Sequence, residues 1–370
     1  DVVRVETSRT PDIIRFLTGT DGTPGINRSG VFNSINFSRR SVAMDLARPE
    51  AQELARRLVR LSDIVCENFT VGNMEKFRLG YEELRKIRPD IIMLSGTPLG
   101  QTGPYAKTVG WGPTTQAFAG MCHLTGYPGG YPCGIGGTWP DFAVGVGMAF
   151  FIMAALHHRE RTGEGQYLDL SMAEMVTTML PEAVMEFLMN GRDVARVGNR
   201  DDAMAPHGVY PCAGEDAWIA IAAASDAEFA AIANVLGVPS LATDRQFVRL
   251  AQRLRNVDLL DAEIAARTRN FARDDLVAKL RERGVATGPV YNVQDLMADR
   301  AFQASGMLST LRHAEVGERV IPVLPVQFSG FEPNYYATPN CGEHTGEVLS
   351  GLLQLTPAEI QKLREDKVLL

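Results

Sequence analysis

Short apolar runs alternate with helix-length segments through the first hundred residues, and this alternation constrains the fold more than any other feature. Asp1-Val-Val-Arg-Val-Glu6 reads as a buried strand. Residues 7–30, rich in Gly, Thr, Pro and Asp, read as loop with room for one short helix. Ser41-Val-Ala-Met-Asp45 is a short strand, and Pro49 opens a helix, since proline suits the first turn. Leu54, Leu58 and Leu61 follow at helical spacing. Asp63-Ile-Val-Cys66 is the next strand, then a helix around Tyr81–Ile87. Asp90-Ile-Ile-Met-Leu-Ser95 is apolar throughout, as in strands buried on both faces. Strands alternating with helices predict a parallel sheet and an α/β fold. The chain opens directly on a strand, so a further N-terminal element is expected ahead of Asp1.

From Gly96 to Pro140 the chain is rich in glycine and proline, with Gly110-Trp-Gly-Pro113, Thr125-Gly-Tyr-Pro-Gly-Gly130 and Gly134-Ile-Gly-Gly137. Long loops of this kind inside a compact domain usually serve function. Asp141 ends the stretch, directly before the apolar run Phe142–Leu156, which predicts a buried helix and is short for a membrane span. Arg161-Thr-Gly-Glu-Gly165 predicts a turn, Gln166–Leu170 a strand, and 172–190 one Met- and Leu-rich helix. Composition shifts near Gly191. Ala205-Pro-His-Gly-Val-Tyr210 reads as loop, Trp218–Ala222 as a strand, and 226–285 as helices. Domain boundaries are therefore expected at 1–190 for a large domain and 205–300 for a smaller α/β or α+β one, with 301–370 returning to the first. Thr356-Pro357 with Glu359 forms a capping box that starts a last helix.

Composition removes several functions. The 370 residues are 45% hydrophobic and 22% charged, as in ordinary globular chains. A formal net charge of −7 argues against nucleic acid or membrane surfaces as partners. Cys66, Cys122, Cys133, Cys212 and Cys341 are odd in number, widely spaced and without a CxxC, which predicts reduced thiols in a cytoplasmic protein and no metal site. GxxxxGK[ST], GxSxG and a strand-linked GxGxxG are absent.

Asp141 is the residue with chemical promise. A carboxylate at a helix start is favoured as an anion by the dipole and free N–H groups. Ionised and partly desolvated, it can attack an acyl carbon. An N-cap of purely structural purpose explains the same residue, and the sequence leaves both readings open.

The residues in order resemble class III, formyl-CoA transferase-like CoA-transferases. The resemblance rests on Asp1–Glu6, Ser38-Arg-Arg-Ser-Val42, Asp63-Ile-Val-Cys-Glu-Asn-Phe69, Gly80–Pro89, Leu156–Gln166 and Gly342-Glu-His-Thr345. It implies a large Rossmann-like α/β domain with a parallel sheet, a smaller α/β (α+β) domain, and an interlocked dimer or a heteromer with a related subunit. It implies Asp141 as the nucleophile, with acyl-CoA and carboxylic acid substrates and no cofactor beyond the coenzyme A thioester. Succinyl-CoA is the donor expected by analogy. Carried over by position, Arg39, Arg40, Met44, Asn68, Phe69, Lys76 and Phe77 would surround CoA, Trp111 would border the acceptor, and His207 with the Gly208 N–H would belong to a lid. Phe118, Tyr127, Tyr131 and Trp139 add aromatic surface near the same stretch, which suits a bulky acid. The related α-methylacyl-CoA racemases need a histidine in a Gly-His-Asp segment, where this chain has Gly110-Trp-Gly-Pro113. A subunit lacking activity would lose the aspartate that this chain keeps.

Overall fold

The computed structural model describes residues 1–17, 19 and 22–370. Of the expected loop 7–30, Thr18, Thr20 and Asp21 lie outside the described residues. The strands, in chain order, are β1 (Val3–Glu6), β2 (Arg40–Ala43), β3 (Ile64–Glu67), β4 (Ile92–Thr97), β5 (Tyr167–Ser171), β6 (His207–Pro211), β7 (Trp218–Ala222), β8 (Ala286–Val290), β9 (Leu308–His313) and β10 (Gly317–Pro322). The chain divides into two compact units. The first holds Asp1–Thr115, Thr138–Met179 and Arg300–Leu370; the second holds Gln116–Gly137 and Leu180–Asp299. The expected boundary at 190 moves, because 116–137 and 180–190 pack with the second unit.

In the first unit β1 pairs in parallel with β2, and β3, β4 and β5 form a parallel sheet. Every residue of β4 is buried, as its apolar sequence requires. The Pro49–Arg60 helix starts on its proline and buries Ala51, Leu54, Ala55, Leu58 and Val59. Leu61 is instead the residue that ends this helix, and it is exposed. The C-terminal segment closes the core on the other side. Val348, Leu349, Val368 and Leu369 pack with Val42, Met44 and Leu54. A fully buried Leu of this kind contributes about 1.5–3 kcal/mol. Polar groups lock the same join. Arg15 donates to both oxygens of Glu6 at 2.9 and 2.8 Å, and the Gly342 N–H donates to Ser41 Oγ at 2.7 Å. The antiparallel hairpin β9–β10 also belongs to this unit.

In the second unit β6, β7 and β8 form an antiparallel sheet. Its core joins Tyr210, Ile219 and Ile221 to Phe229, Leu260 and Leu276 of three helices, Asp226–Val235, Val257–Thr268 and Arg273–Arg281.

Three helical expectations change. The 172–190 segment is two helices, Met172–Thr177 and Pro181–Asn190. Pro181 has no N–H to donate and disfavours helical backbone at Leu180, which sits at φ −121° and ψ 42°. The apolar run before it is a 24-residue helix, Trp139–Thr162, that begins two residues ahead of Asp141. It is not a buried helix. Val144, Gly147 and Ala155 are covered, whereas Val146, Phe150 and Met153 are exposed. By length and composition alone it could cross a membrane. Close packing ties it to the sheet: a Cβ on Gly96 of β4 would lie 3.1 Å from Met148 Cε, and one on Gly147 would lie 2.7 Å from Met175 Cε.

Candidate active site

The ends of the parallel strands place the candidate residues. The Trp139–Thr162 helix leads through Gly163–Gln166 into β5, and Gly165 sits against Asp90 and Ile91 at the start of β4. The helix therefore runs back over the sheet. Met148 meets Gly96 near the end of β4. Asp141 lies seven residues N-terminal to Met148, about 10 Å further along the axis at 1.5 Å per residue. That carries it past the C-terminal end of β4. Ligands of open α/β sheets bind at this end.

Asp141 occupies the third position of its helix, and Thr138 is the N-cap residue, without a side-chain cap hydrogen bond. The reading of Asp141 as the cap itself is thus corrected. Its backbone N–H donates to Thr138 O at 3.1 Å. Burial pushes the Asp141 carboxyl up from its ordinary pKa, against a smaller downward pull from a backbone hydrogen bond. Desolvation outweighs the helix dipole here, contrary to the sequence expectation. The residue as a whole is nevertheless exposed.

The exit of β3 supplies Asn68 and Phe69, both exposed. Lys76 ends the short helix Asn73–Lys76, exposed and within 3.2 Å of Asn73 Oδ1, and Phe77 follows it. The Phe69 and Phe77 rings meet edge to face, with centroids 5.9 Å apart. These four residues form one patch. Glu67, which the sequence reading passed over, holds that patch in place. Its Oε2 accepts the Phe69 N–H at 2.7 Å. Burial raises its pKa, while hydrogen bonds from the Ser95 side chain and the Phe69 backbone pull it back. The signal in the sequence was its position as the last residue of a strand, immediately before Asn68.

The exit of β4 supplies Trp111. Ala173 N–H donates to Pro98 O at 3.0 Å, and a Cβ on Gly110 would lie 3.1 Å from Pro98 Cβ, so the Gly110–Trp111 backbone rests on the strand end. The Trp111 N–H donates to Thr114 Oγ1 at 2.7 Å, and Trp111 is 58% exposed. It precedes the Gly112–Phe118 helix, in a stretch whose glycines and prolines predict loop.

Within the first unit, the arginine pair does not join this end. Arg39 and Arg40 stand at the start of β2, with Arg40 Nε 3.1 Å from Glu347. Met44 follows the end of that strand, about 13 Å away at 3.3 Å per residue. Its side chain is 1% exposed and part of the core, so it offers a ligand no side-chain surface. The arginine pair and Met44 thus stand at opposite ends of β2. His207 and Gly208 lie in the second unit, within β6, where a loop is expected. The Ala223 N–H donates to Pro206 O at 2.8 Å, and the Cys212 N–H to Ala217 O at 2.7 Å. Bonded pairs alternate along an antiparallel ladder, so Gly208, facing Ile221, also spends its N–H on the sheet. It is not a free lid donor. Phe118, Tyr127 and Tyr131 are exposed residues of the second unit, and Trp139 opens the helix of Asp141 in the first. The five cysteines are unpaired, and no group of three or more potential metal ligands occurs among the described residues.

Residues 1–345 match the family model CoA-transferase family III. The succinyl-CoA–D-citramalate CoA-transferase of Chloroflexus aurantiacus is 33% identical over 90% of this chain and 83% of its own length. The succinyl-CoA–L-malate CoA-transferase beta subunit of the same organism is 31% identical over 100% of this chain and 91% of its own. Among solved structures, a CAIB/BAIF family protein from Brucella suis superposes with a TM-score of 0.85 at 32% identity, covering 95% of this chain and 92% of that one. The chain belongs to CoA-transferase family III and is a CoA-transferase.

Proposed function

We propose that the enzyme moves CoA from succinyl-CoA to a small dicarboxylic acid through Asp141. The observation that carries this reading is a carboxylate in the first turn of a helix, uncommitted to capping, beyond the sheet end that also bears Asn68, Phe69 and Trp111. The donor and the acceptor class follow the names of the two relatives.

The Asp141 carboxylate attacks the thioester carbonyl; the C–S bond breaks and CoA leaves as thiolate. The mixed anhydride is then attacked by that thiolate at the aspartyl carbonyl, which frees the donor acid and leaves an aspartyl-CoA thioester. The acceptor carboxylate attacks this thioester and expels the thiolate again. Thiolate attack on the acceptor carbonyl of the new anhydride yields acyl-CoA and restores Asp141. No proton or electron is consumed and no further cofactor is needed. A raised pKa suits the first step, because a carboxylate that holds protons more tightly is the stronger nucleophile once ionised. Phe69 and Phe77 offer apolar cover for the pantetheine arm, and Lys76 a cation for a phosphate. The racemase alternative lacks its histidine at Gly110–Pro113.

We further propose that the working enzyme is an interlocked dimer, of two copies or with a related subunit. The exposed Val146, Phe150 and Met153, and Phe187, Leu188 and Met189 of the second unit, are apolar surface that association would cover. Incubation with succinyl-CoA and hydroxylamine, followed by peptide mass analysis, tests the chemistry. A hydroxamate on Asp141, absent in Asp141→Ala, is expected; no adduct in the wild type sinks the mechanism. A panel of dicarboxylic and aromatic acids then ranks acceptors, and light scattering reads the assembly.

A further inference from the structure

The first unit holds a buried group that the transfer chemistry does not use. His313, the last residue of β9, is 4% exposed. Its Nδ1 accepts the N–H groups of Glu315 and Val316 at 3.1 and 3.3 Å. The proton therefore sits on Nε2, and that N–H finds no acceptor among the described residues. Burial pushes the His313 pKa down, which keeps the ring neutral and this tautomer fixed. A buried donor left unpaired is rare in folded proteins and calls for an explanation. His313 lines two cavities of about 470 and 140 Å³ that share Ala337 and Thr338 in their walls.

Two guanidinium groups line the larger cavity with no carboxylate oxygen of a described residue within 4.0 Å, although the Glu6 charge acts on Arg39 and Glu318 stands across the ladder from Arg312. Arg39 donates only to neutral acceptors, Asn36 Oδ1 at 2.8 Å and Ile35 O at 3.2 Å. Arg312 has no ion pair or hydrogen bond among the described residues. The third arginine, Arg40, is answered by Glu347 and Asp1. Glu343, on the same wall, is occupied by the Asn340 N–H at 2.7 Å. The exposed Tyr336 ring closes one side. A space of this volume exceeds the size of a free inorganic ion and falls within the range of small-molecule sites.

We propose that this cavity is a second ligand site, for a small molecule bearing a compact oxyanion, either a phosphate ester or a carboxylate, held by Arg39 and Arg312, with His313 forming part of its wall. It lies at the start of β2, whereas Asp141 lies past the end of β4. The ligand would occupy it without displacing the thioester substrate.

Calorimetric titration of the full chain with AMP, inorganic phosphate and succinate, each with and without saturating coenzyme A, tests the proposal. At least one of the three is expected to bind in the presence of coenzyme A. AMP or phosphate binding assigns the phosphate ester, and succinate binding alone assigns the carboxylate. Arg312→Gln should weaken that binding about tenfold or more, as loss of a charge-assisted pair does. It should leave hydroxylamine trapping on Asp141 unchanged. Arg39→Gln removes the second guanidinium of the wall, so it should weaken binding as well. If that variant fails to fold, Arg312→Gln decides alone. Absence of binding by all three probes at millimolar concentration overturns the site, as does binding that survives the substitutions unchanged.

Discussion

Replacing Gly165 by alanine should destabilise the chain far more than the same change at other glycines of this region. A Cβ at Gly165 would lie 2.3 Å from Ile91 O, 2.4 Å from Asp90 C and 2.6 Å from Asp90 O. Ordinary contacts between such atoms are about 3.5 Å, so the backbones must part by about 1 Å. Neither side yields easily. Ile91 is fully buried at the start of the central strand, and Arg159 clamps the same corner, its Nη2 3.1 Å from Asp63. Overpacking costs typically about 1–3 kcal/mol, and a backbone obstacle on both sides places this case at the upper end. With roughly 2–4 °C lost per kcal/mol for a domain of this size, Tm should fall by roughly 6–12 °C. Gly145 provides a comparison of opposite sign. It is inside a helix with nothing within 4 Å of its would-be Cβ, so Gly145→Ala should gain about 0.5–1 kcal/mol from helix propensity. Gly147→Ala falls between, because its obstacle is the mobile tip of Met175. Urea denaturation of the three variants with equal m values reads the order. Gly165→Ala within about 0.5 kcal/mol of wild type, the spread of neutral substitutions, would refute the close-approach argument.

Three further outcomes are expected. If the ionised Asp141 reacts as proposed, then, with burial raising its pKa, activity should be lost as pH falls through a value above the ordinary aspartate of about 3.9; an acid limb in kcat/KM at or below that value contradicts the assignment. Glu67→Ala frees the Phe69 N–H, and a lost hydrogen bond of about 0.5–1.5 kcal/mol corresponds to a rise of roughly 2- to 10-fold in KM for the acyl-CoA with kcat retained; Glu67→Gln, which can still accept, should restore it, and equal loss in both variants means a different role. Arg15→Met takes the two-pronged partner from the buried Glu6 carboxylate, leaving it Arg4 Nε at 3.6 Å and the Ser41 hydroxyl, and should cost about 3 kcal/mol, the lower edge of the range for breaking a buried pair, in denaturant unfolding.

The strands of the first unit were readable because their burial leaves no polar alternation. Ile92 to Leu94 is apolar and covered on both faces, and only one structure suits such a run. The hairpin β9–β10 escaped for the opposite reason. Its Leu308-Ser-Thr-Leu-Arg-His313 and Gly317-Glu-Arg-Val-Ile-Pro322 are exposed along much of their length and carry charges. β6 was read as loop because His207-Gly-Val-Tyr-Pro211 contains glycine and proline, although β7 supplies the pairing that overrides them. The placing of Asn68 and Phe69 at the exit of β3 was legible because sequence position fixes strand ends. Burial is not fixed that way, and Arg40 and Met44, four residues apart, stand at opposite ends of β2 with Met44 in the core. The role of Glu67 depends on a bond back to the backbone of Phe69, which no spacing rule reveals.

The two-residue difference between a helix that starts at Trp139 and one that starts at Asp141 decides what the carboxylate can do. As an N-cap, Asp141 would accept backbone N–H groups of its first turn. Those bonds favour the anion, lower the pKa and tie the oxygens to the helix. Such a carboxylate is a good anchor and a poor nucleophile. In the third position the N-cap is Thr138, whose side chain makes no cap bond, and the Asp141 carboxyl keeps a single backbone hydrogen bond, from its own N–H. Desolvation then prevails, and the pKa moves up. Pro140 is consistent with this division, since its missing N–H is one that the first turn would leave unpaired in any case. The sequence Thr138-Trp-Pro-Asp141 thus starts the helix without using the aspartate for it. The same logic predicts that Thr138→Asp, by placing a stronger cap and a second negative charge one turn from Asp141, raises the Asp141 pKa further and moves the acid limb of kcat/KM upward. A downward move would show that the helix N-terminus, and not the loss of solvent, governs this carboxylate.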